Sequence, residues 1–367
     1  RALLTGEGER EREREHDTTT MQVGASVAVA GLVGLGTYAL SSHRNKGAPW
    51  PPQEKLQPDE ETLGPHGFTK QWKNAQGYKI FSYFWPAKAK QSKGILLLLH
   101  GHGTNVPFEF LKNSRGAGFD RIYRGSWIEE LNNRGYSCCG IDVQSKGRSE
   151  GCKGLQSYFE SFDNVVADEL AFMDRMADLG GKGFEAGLPV FPFAVSMGGA
   201  RAAMMILRDE KRFKAALFYA PMLSLERVSK KGLNPYLKPM IDLFNRVGPT
   251  WRLAAVDKSK FPNLQEEFDK DFFSYHGNTP VRLAAEYLRV TEHIMKNLKS
   301  ITLPFVTFHS EGDTMVDPDG SRRLVAEASS EIKVHEDCPG SWHVLIHEPG
   351  NEKTLEKTIK FLERVNV

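Results

Sequence analysis

The sequence lacks the cysteine content, the charge excess and the ligand-binding motifs that are typical of several protein classes. It contains four cysteines in 367 residues, which is too few for a fold held together by disulfides. Lysine and arginine total 48 against 46 for aspartate and glutamate, so the net charge of +2 gives no reason to expect nucleic acid or a strongly acidic substrate. No cysteine–histidine spacing suggests a zinc site, and the sequence has no internal repeat and no glycine-rich phosphate loop. These absences predict a globular protein that needs no metal and binds no nucleic acid.

The N-terminal part of the chain is not patterned like a folded domain. Residues 1–20 include an alternating Glu-Arg run, which cannot bury a core and predicts a disordered low-complexity segment. Residues 21–42 contain an uncharged stretch, 23–40, that is just long enough to span a bilayer. We interpret 21–42 as a hydrophobic anchor, with a cleaved signal or transit segment and a buried helix as the alternatives. The proline-containing segment 43–66 is predicted to be a linker.

This interpretation predicts a protein associated with a membrane through 23–40, in an organelle that the sequence leaves open and with the secretory pathway as one option. Basic residues lie on both sides of 23–40, so the positive-inside rule does not fix the orientation. If the chain began at Met21, only the downstream side would be basic, which favours a cytosolic position for the remainder.

From residue 67 onward, apolar runs alternate with amphipathic stretches. Residues 67–86 alternate polar and apolar side chains and predict an antiparallel hairpin at a sheet edge. Residues 94–100 begin with a continuous apolar run, which is typical of a central strand covered on both faces. Further strands are predicted at 136–142, 190–195, 215–221, 303–309 and 332–335, and helices at 126–135 and 161–179. This alternation predicts an α/β fold with a mostly parallel central sheet flanked by helices.

A serine at position 196 lies between one of these apolar runs and a stretch of small residues. The segment reads F-A-V-S-M-G-G-A, with Ala194 two positions before the serine and Gly198 two positions after it. A strand that turns sharply into a helix at a serine is the nucleophile elbow of α/β-hydrolases, where the turn pushes the hydroxyl out above the sheet. Ala194 departs from the strict G-x-S-x-G pattern by one methyl group. Ser196 is the candidate nucleophile, and a plain tight turn is the alternative.

A serine nucleophile needs a histidine to take its proton and a carboxylate to orient that histidine. In this fold the three follow in the order Ser, Asp, His, on loops beyond the carboxyl ends of strands. Asp313 follows one predicted strand and His343 follows the last one, so both are candidates. The alternative residues at these two strand ends are Glu311 and Asp317 for the acid, and His335, predicted within the strand, and His347, predicted within a helix, for the base.

The strand that ends at position 99 is followed by His-Gly-His-Gly, residues 100–103. A glycine-rich turn at this place supplies one backbone N–H of the oxyanion hole in serine hydrolases, and the residue after the nucleophile supplies the other. We therefore assign the two donors to the main chain of His102 and Met197. The alternative is a simple turn in which His100 is a buried structural histidine.

Together these motifs resemble the monoacylglycerol lipase and lysophospholipase group of serine α/β-hydrolases, and within it the lysophospholipase-like branch of protozoan parasites. The resemblance runs from about residue 67 to the C-terminus. The motifs that carry it are L-L-L-L-H-G-H-G, G-S-W-I-E-E-L-N-N-R-G-Y-S, G-R-S-E-G, A-V-S-M-G-G-A, H-S-E-G-D-T-M-V-D-P and G-S-W-H-V-L-I-H-E. The resemblance implies a hydrolase core at 67–221 and 301–367, with a helical cap (lid) inserted at 222–300. One departure is Ser145-Lys146-Gly147, where the family usually has G-H-G.

The function predicted on this basis is hydrolysis of the carboxylic ester of a single-chain lipid, a monoacylglycerol or a lysophospholipid. Ser196, His343 and Asp313 would act through an acyl-enzyme, with no metal or organic cofactor. A thioesterase or peptidase that uses the same triad is an alternative. A non-catalytic member that binds a lipid or a partner in the pocket is a further alternative. Its only support is the two departures from the family pattern, Ala194 and Ser145-Lys146. The head group, acyl length and oligomeric state are not predicted.

Overall fold

The computed structural model describes residues 57–113, 121–230, 240–254 and 257–366. The predicted segments 1–20 and 21–42 and most of the predicted linker lie outside these ranges. Within the described ranges, no helix combines the length and the apolar composition needed to cross a bilayer. The longest helix there has 19 residues and includes Asp163, Asp168 and Glu169. The predicted membrane location is wrong by this finding, and the stretch 23–40 on which it depended lies outside the described residues.

The centre of the structure is an eight-stranded sheet. Its strands are β1 Phe68–Lys73, β2 Lys79–Trp85, β3 Gly94–Leu99, β6 Tyr136–Asp142, β7 Val190–Val195, β8 Ala216–Tyr219, β11 Phe305–His309 and β12 Lys333–Asp337. They lie in the order β1-β2-β6-β3-β7-β8-β11-β12. Strands β1 and β2 form the predicted hairpin at one edge, and β2 pairs antiparallel with β6, whereas the remaining neighbouring pairs are parallel. The predicted α/β class with a mostly parallel sheet is confirmed.

The apolar run of β3 has no polar face because the sheet is covered on both sides. Successive strand residues point to opposite faces, so Leu97 and Leu99 pack in one core cluster and Leu96 and Leu98 in the other. The adjacent cysteines of β6 divide in the same way, with Cys138 in the second cluster and Cys139 in the first. All four cysteines of the sequence lie in the described residues and are free thiols.

Helices on both faces of the sheet bury the two clusters. Ser126 and Ser161 cap the starts of α3 and α4, each by accepting a hydrogen bond from a backbone N–H in the first turn. Helices α4 and α5 pack beside each other, and α5 begins directly after β7. The helices that flank the sheet are α2 Val106–Phe110, α3 Trp127–Asn133, α4 Phe162–Gly180, α5 Met197–Asp209, α10 Pro318–Glu327 and α11 Asn351–Val365, and a short α1, Glu60–Leu63, precedes β1.

A long connection joins β8 to β11 and lies over the carboxyl ends of the strands near position 103. The backbone N–H of Tyr275 donates to the carbonyl of Gly103 at 2.7 Å, which ties the connection to the core. Its described elements are α6 Glu226–Ser229, α7 Ile241–Val247, β9 Arg252–Ala254, α8 Pro262–Lys270, β10 Thr279–Pro280 and α9 Val281–Lys296. Two further short strands, β4 Lys112–Asn113 and β5 Arg121–Ile122, pair with each other. The division into core and cap stays a prediction.

Candidate active site

The backbone at Ser196 has the geometry of a sharp turn from strand to helix. The residue has φ +52° and ψ −117°, a strained conformation for a side chain other than glycine, and it lies between the end of β7 and the start of α5. Gly198 leaves room for the turn, because a Cβ there would lie 2.0 Å from the carbonyl oxygen of Leu99. Ala194 is fully buried in β7, so its additional methyl group is part of the core.

The structure brings Ser196, His343 and Asp313 into one chain of contacts. Nε2 of His343 lies 2.9 Å from Oγ of Ser196, and Nδ1 lies 2.6 Å from Oδ2 of Asp313. Asp313 follows β11 and His343 lies in the loop after β12, so both are at the same edge of the sheet as Ser196. All three side chains are at least nine-tenths buried.

The pKa values in this group of three residues depend on the carboxylate of Asp313. Burial alone would raise the pKa of Asp313, but the two imidazoles beside it, His343 and His309, hold it well below its ordinary value. Burial alone would lower the pKa of His343, but the charge and hydrogen bond of Asp313 raise it above the ordinary value. His343 is therefore a stronger base than a free histidine, which suits a group that must take a proton from a hydroxyl.

The alternative acids and bases at these strand ends are engaged elsewhere. Asp317 accepts hydrogen bonds from Ser224 and from the main chain of α6 at 227–228. Glu311 lies at the surface and pairs with Arg227 and Arg322. His335 lies in β12 beside Asp337, as predicted. His347 was predicted in a helix, but it lies in a turn before α11 and contacts the carbonyl of Glu109.

Two residues that sequence reasoning missed hold the acid and the base in place. Nε2 of His309 lies 3.1 Å from the same oxygen of Asp313 that contacts His343. Glu348 is fully buried, and its carboxylate accepts hydrogen bonds from the backbone N–H groups of residues 342, 343 and 344, at 2.6, 2.8 and 2.6 Å. The dipeptide His347-Glu348 after the candidate base was the only signal, and it does not reveal that the loop folds back onto the glutamate.

The loop at 100–103 lies against Ser196, and the structure fixes it from several sides. A Cβ at Gly101 would lie 3.3 Å from Cβ of Ser196. The N–H of Gly101 donates to Glu109 at 3.1 Å, and Gly103 has φ +77°, a conformation that glycine adopts without strain. His100 is a structural histidine that contacts the carbonyl of Gly101 and accepts from the N–H of Val143. Met197 is the first residue of α5, so its N–H has no acceptor within its own helix.

The turn that departs from the family pattern closes in spite of the missing glycine. Ser145 has φ +67°, the region that glycine adopts at least cost, and its hydroxyl donates to the carbonyl of Tyr158. Gly147 is required, because a Cβ there would lie 2.2 Å from Oδ2 of Asp142. The side chain of Lys146 points inward and is 3% exposed. The residues at 145 and 146 therefore leave the turn closed.

A cavity of about 200 Å³ opens onto these groups. Ser196, His343 and His102 line it, together with aromatic side chains from the core and from the connection between β8 and β11. The aromatic lining residues are Phe108, Phe268, Tyr275 and Trp342. A small molecule in this cavity would contact the Ser196 hydroxyl directly. Within the described ranges, no group of three or more histidine, cysteine or acidic side chains is placed to hold a metal ion.

The fold is shared with known hydrolases. A sequence model of the family described as serine aminopeptidase, S33 (Hydrolase_4) matches residues 122–350, more than half of the chain. The chain is 26% identical over 308 residues to caffeoylshikimate esterase of Arabidopsis thaliana, covering 80% of this chain and 85% of that protein. It is 24% identical over 278 residues to human monoglyceride lipase, covering 75% and 83%.

Solved structures of lipases have the same fold. A soluble variant of monoglyceride lipase from Saccharomyces cerevisiae, solved with a substrate analog, gives a TM-score of 0.66 at 17% identity and covers 87% of this chain and 100% of that one. The monoacylglycerol lipase of Paleococcus ferrophilus gives a TM-score of 0.62 at 18% identity and covers 77% and 98%.

Proposed function

Because the chain belongs to the serine aminopeptidase S33 family of hydrolases, in the monoacylglycerol lipase group that its sequence resembled, we propose that it cleaves single-chain lipid esters with Ser196, His343 and Asp313 as its catalytic triad. The chain is an α/β-hydrolase and a carboxylic ester hydrolase, as predicted, since its relatives are monoglyceride lipases and esterases. The observation that carries the proposal is the 2.9 Å contact between Nε2 of His343 and Oγ of Ser196.

The proposed reaction has two halves. Oγ of Ser196 attacks the ester carbonyl while Nε2 of His343 takes the hydroxyl proton, and Asp313 stabilises the imidazolium that forms. The N–H groups of His102 and Met197 bind the oxyanion. His343 then gives the proton to the leaving alcohol as the C–O bond breaks, which leaves an acyl group on Ser196. In the second half, water attacks the acyl-enzyme with His343 again as the base, and the fatty acid leaves.

Two features support an ester with an apolar acyl part. The cavity beside Ser196 combines aromatic side chains with a few polar groups, as expected for a site that takes an acyl chain and a small head group. The human and yeast relatives are monoglyceride lipases by name. We therefore place a monoacylglycerol or a lysophospholipid first among the substrates. A peptide substrate is the second candidate, because the family description names a serine aminopeptidase.

A substrate panel tests the proposal. Purified protein is given a monoacylglycerol, a lysophosphatidylcholine, a long-chain acyl thioester and an amino-acid anilide, with Ser196→Ala as the matched control. The proposal expects release of fatty acid from one of the two lipid esters at least 100-fold faster than from the control. A clear preference for the thioester or for the anilide, with little release from either lipid ester, would replace it with the corresponding thioesterase or peptidase activity.

A further inference from the structure

Lys146 is a buried lysine beside the loop that precedes the candidate nucleophile. It lies in the loop that follows β6, and it is 3% exposed. Its ammonium group donates to Oγ of Ser157 at 2.8 Å and lies 3.5 Å from Nδ1 of His102. In the part of the chain that the structure describes, no carboxylate forms an ion pair with this ammonium group.

The charged groups that face Lys146 are cations. Arg252 of β9 is 6% exposed, donates to the carbonyl of Gln156 and lies over the ring of Tyr275. Arg201 of α5 is fully buried, and its charge is balanced by Glu169. The two histidines that face Lys146, at 100 and 102, are neutral near pH 7 because burial holds the pKa of each well below the ordinary value. Among the residues that the structure describes, neither Lys146 nor Arg252 forms an ion pair with a carboxylate. Buried positive charge without a counter-charge is costly in a folded protein.

The Lys146 ammonium lies beside His102, the residue whose main-chain N–H is the proposed oxyanion donor. The ring of His102 is held between Thr279 and Tyr287, with Nε2 3.1 Å from the Thr279 hydroxyl and Nδ1 2.7 Å from the Tyr287 hydroxyl. The Lys146 ammonium lies at Nδ1 as well, beside the Tyr287 hydroxyl. The main-chain N–H of the same residue is the proposed oxyanion donor, so the Lys146 ammonium contacts the residue at which a negative charge on the substrate would be bound. The oxyanion is then the counter-charge that the resting site lacks.

We propose that Lys146 is a positioning residue for the oxyanion site: its contacts with Ser157 and His102 hold the loop at 100–103, and its ammonium charge stabilises the tetrahedral intermediate through space. The inference rests on the proposed function. This role of Lys146 differs from a purely structural one because it requires the charge of the side chain as well as its shape. The charge stabilises the transition state more than it stabilises the bound substrate.

The proposal predicts how activity depends on pH. Burial, together with Arg201 and Arg252, lowers the pKa of Lys146 to about 7. A lysine with a lowered pKa carries its charge below that value and loses it above. The ammonium group is therefore present on the acid side of pH 7, and the rate should fall as the pH rises through this range and the charge is lost.

The test compares Lys146→Met with Lys153→Met, which removes a surface lysine on the same loop that pairs with Glu160. The expected result is that Lys146→Met lowers kcat about tenfold or more, the size of effect expected from a unit charge several ångströms away, with KM unchanged within about twofold. The fall in kcat/KM above pH 7 should be absent from this variant and present in the wild type and in Lys153→Met. An alkaline fall that persists in Lys146→Met, or a kcat within twofold of the wild type, would overturn the inference.

A second measurement does not depend on the variant folding. A long-chain trifluoromethyl ketone binds serine hydrolases as an anionic tetrahedral adduct. Its affinity for the wild type should weaken about tenfold between pH 6.5 and pH 8.5, and less in Lys146→Met where that variant folds. An affinity for the wild type that does not weaken over this range would overturn the inference. Failure of the proposed function looks different, because the wild type itself would then release no fatty acid from either lipid ester.

Discussion

His309 and Asp313 form a buried contact, with Nε2 of the histidine 3.1 Å from Oδ2 of the carboxylate. Burial lowers the pKa of His309, so its ring is neutral, and Nδ1 lies 2.7 Å from the hydroxyl of Ser321. In the tautomer that satisfies both contacts, Ser321 donates to Nδ1 and Nε2–H donates to Asp313. The carboxylate thus receives a hydrogen bond without a second full positive charge, and its charge remains available to His343.

We expect His309→Leu to lower kcat/KM about tenfold or more while the protein stays folded. The variant removes one hydrogen bond to a charged group, which is worth about 1.5–3 kcal/mol in a buried site. Steady-state hydrolysis of a soluble short-chain ester measures the effect. His335→Leu, on the neighbouring strand and away from Ser196, is the matched control and should stay within about twofold of the wild type. Equal rates in the two variants would mean that His309 has no part in the reaction.

Asp313 and Asp317 can be distinguished by the same conservative change. We expect Asp313→Asn to reduce kcat about 10³- to 10⁴-fold, because an amide can neither stabilise the imidazolium nor hold His343 in the required tautomer. Asp317→Asn keeps an oxygen that can accept from the main chain of α6 at 227–228 and should retain activity within about tenfold of the wild type. The reverse ranking of the two kcat values would assign the role of the acid to Asp317.

The acid limb of the pH–rate profile should reflect His343. The base must be neutral to take a proton, so kcat/KM rises with pH through the pKa of this residue. Asp313 raises that pKa, so the midpoint of the rise should lie above about 6.5, the ordinary value for histidine. In Asp313→Asn the raising charge is gone, and the midpoint of the residual activity should move to lower pH. A midpoint that stays in place in this variant would show that Asp313 does not set the pKa of the base.

Glu348 should matter for both stability and activity. Its carboxylate accepts three backbone hydrogen bonds from the loop that carries His343, and Gln can replace only part of that set. We expect Glu348→Gln to lower the free energy of unfolding by about 1–3 kcal/mol and to lower kcat, measured by thermal melting and by ester hydrolysis. Glu352→Gln, an exposed change at the start of α11, should alter neither. Full activity in Glu348→Gln would show that the loop does not depend on the carboxylate.

The strands and the turn at Ser196 could be predicted because their causes are local in the sequence. A central strand covered on both faces must be apolar throughout, as Gly94–Leu99 is, and a sharp turn from strand to helix needs small neighbours such as Gly198. Ser196, Asp313 and His343 follow β7, β11 and β12, so their order could be predicted from the order of the strands in the sequence.

The supporting residues could not be predicted, because their roles depend on loops that fold back in three dimensions. Glu348 contacts the main chain of the loop before it, and Lys146, in the loop after β6, contacts His102, in the loop after β3. An anchor at 23–40 was predicted from length and apolar composition alone, and the membrane location drawn from it is the prediction that the findings correct. His347 was predicted in the helix that begins after the loop, but the chain turns there before α11 begins.

The proposed triad is tested most directly by labelling of the full chain with a fluorophosphonate, followed by intact-mass measurement. These probes react with a serine only where a neighbouring base activates it. We expect one adduct per chain in the wild type, none in Ser196→Ala and much slower labelling in His343→Gln, with all three proteins folded by circular dichroism. A folded wild type that takes up no probe, or a Ser196→Ala variant that is labelled as fast as the wild type, would contradict it.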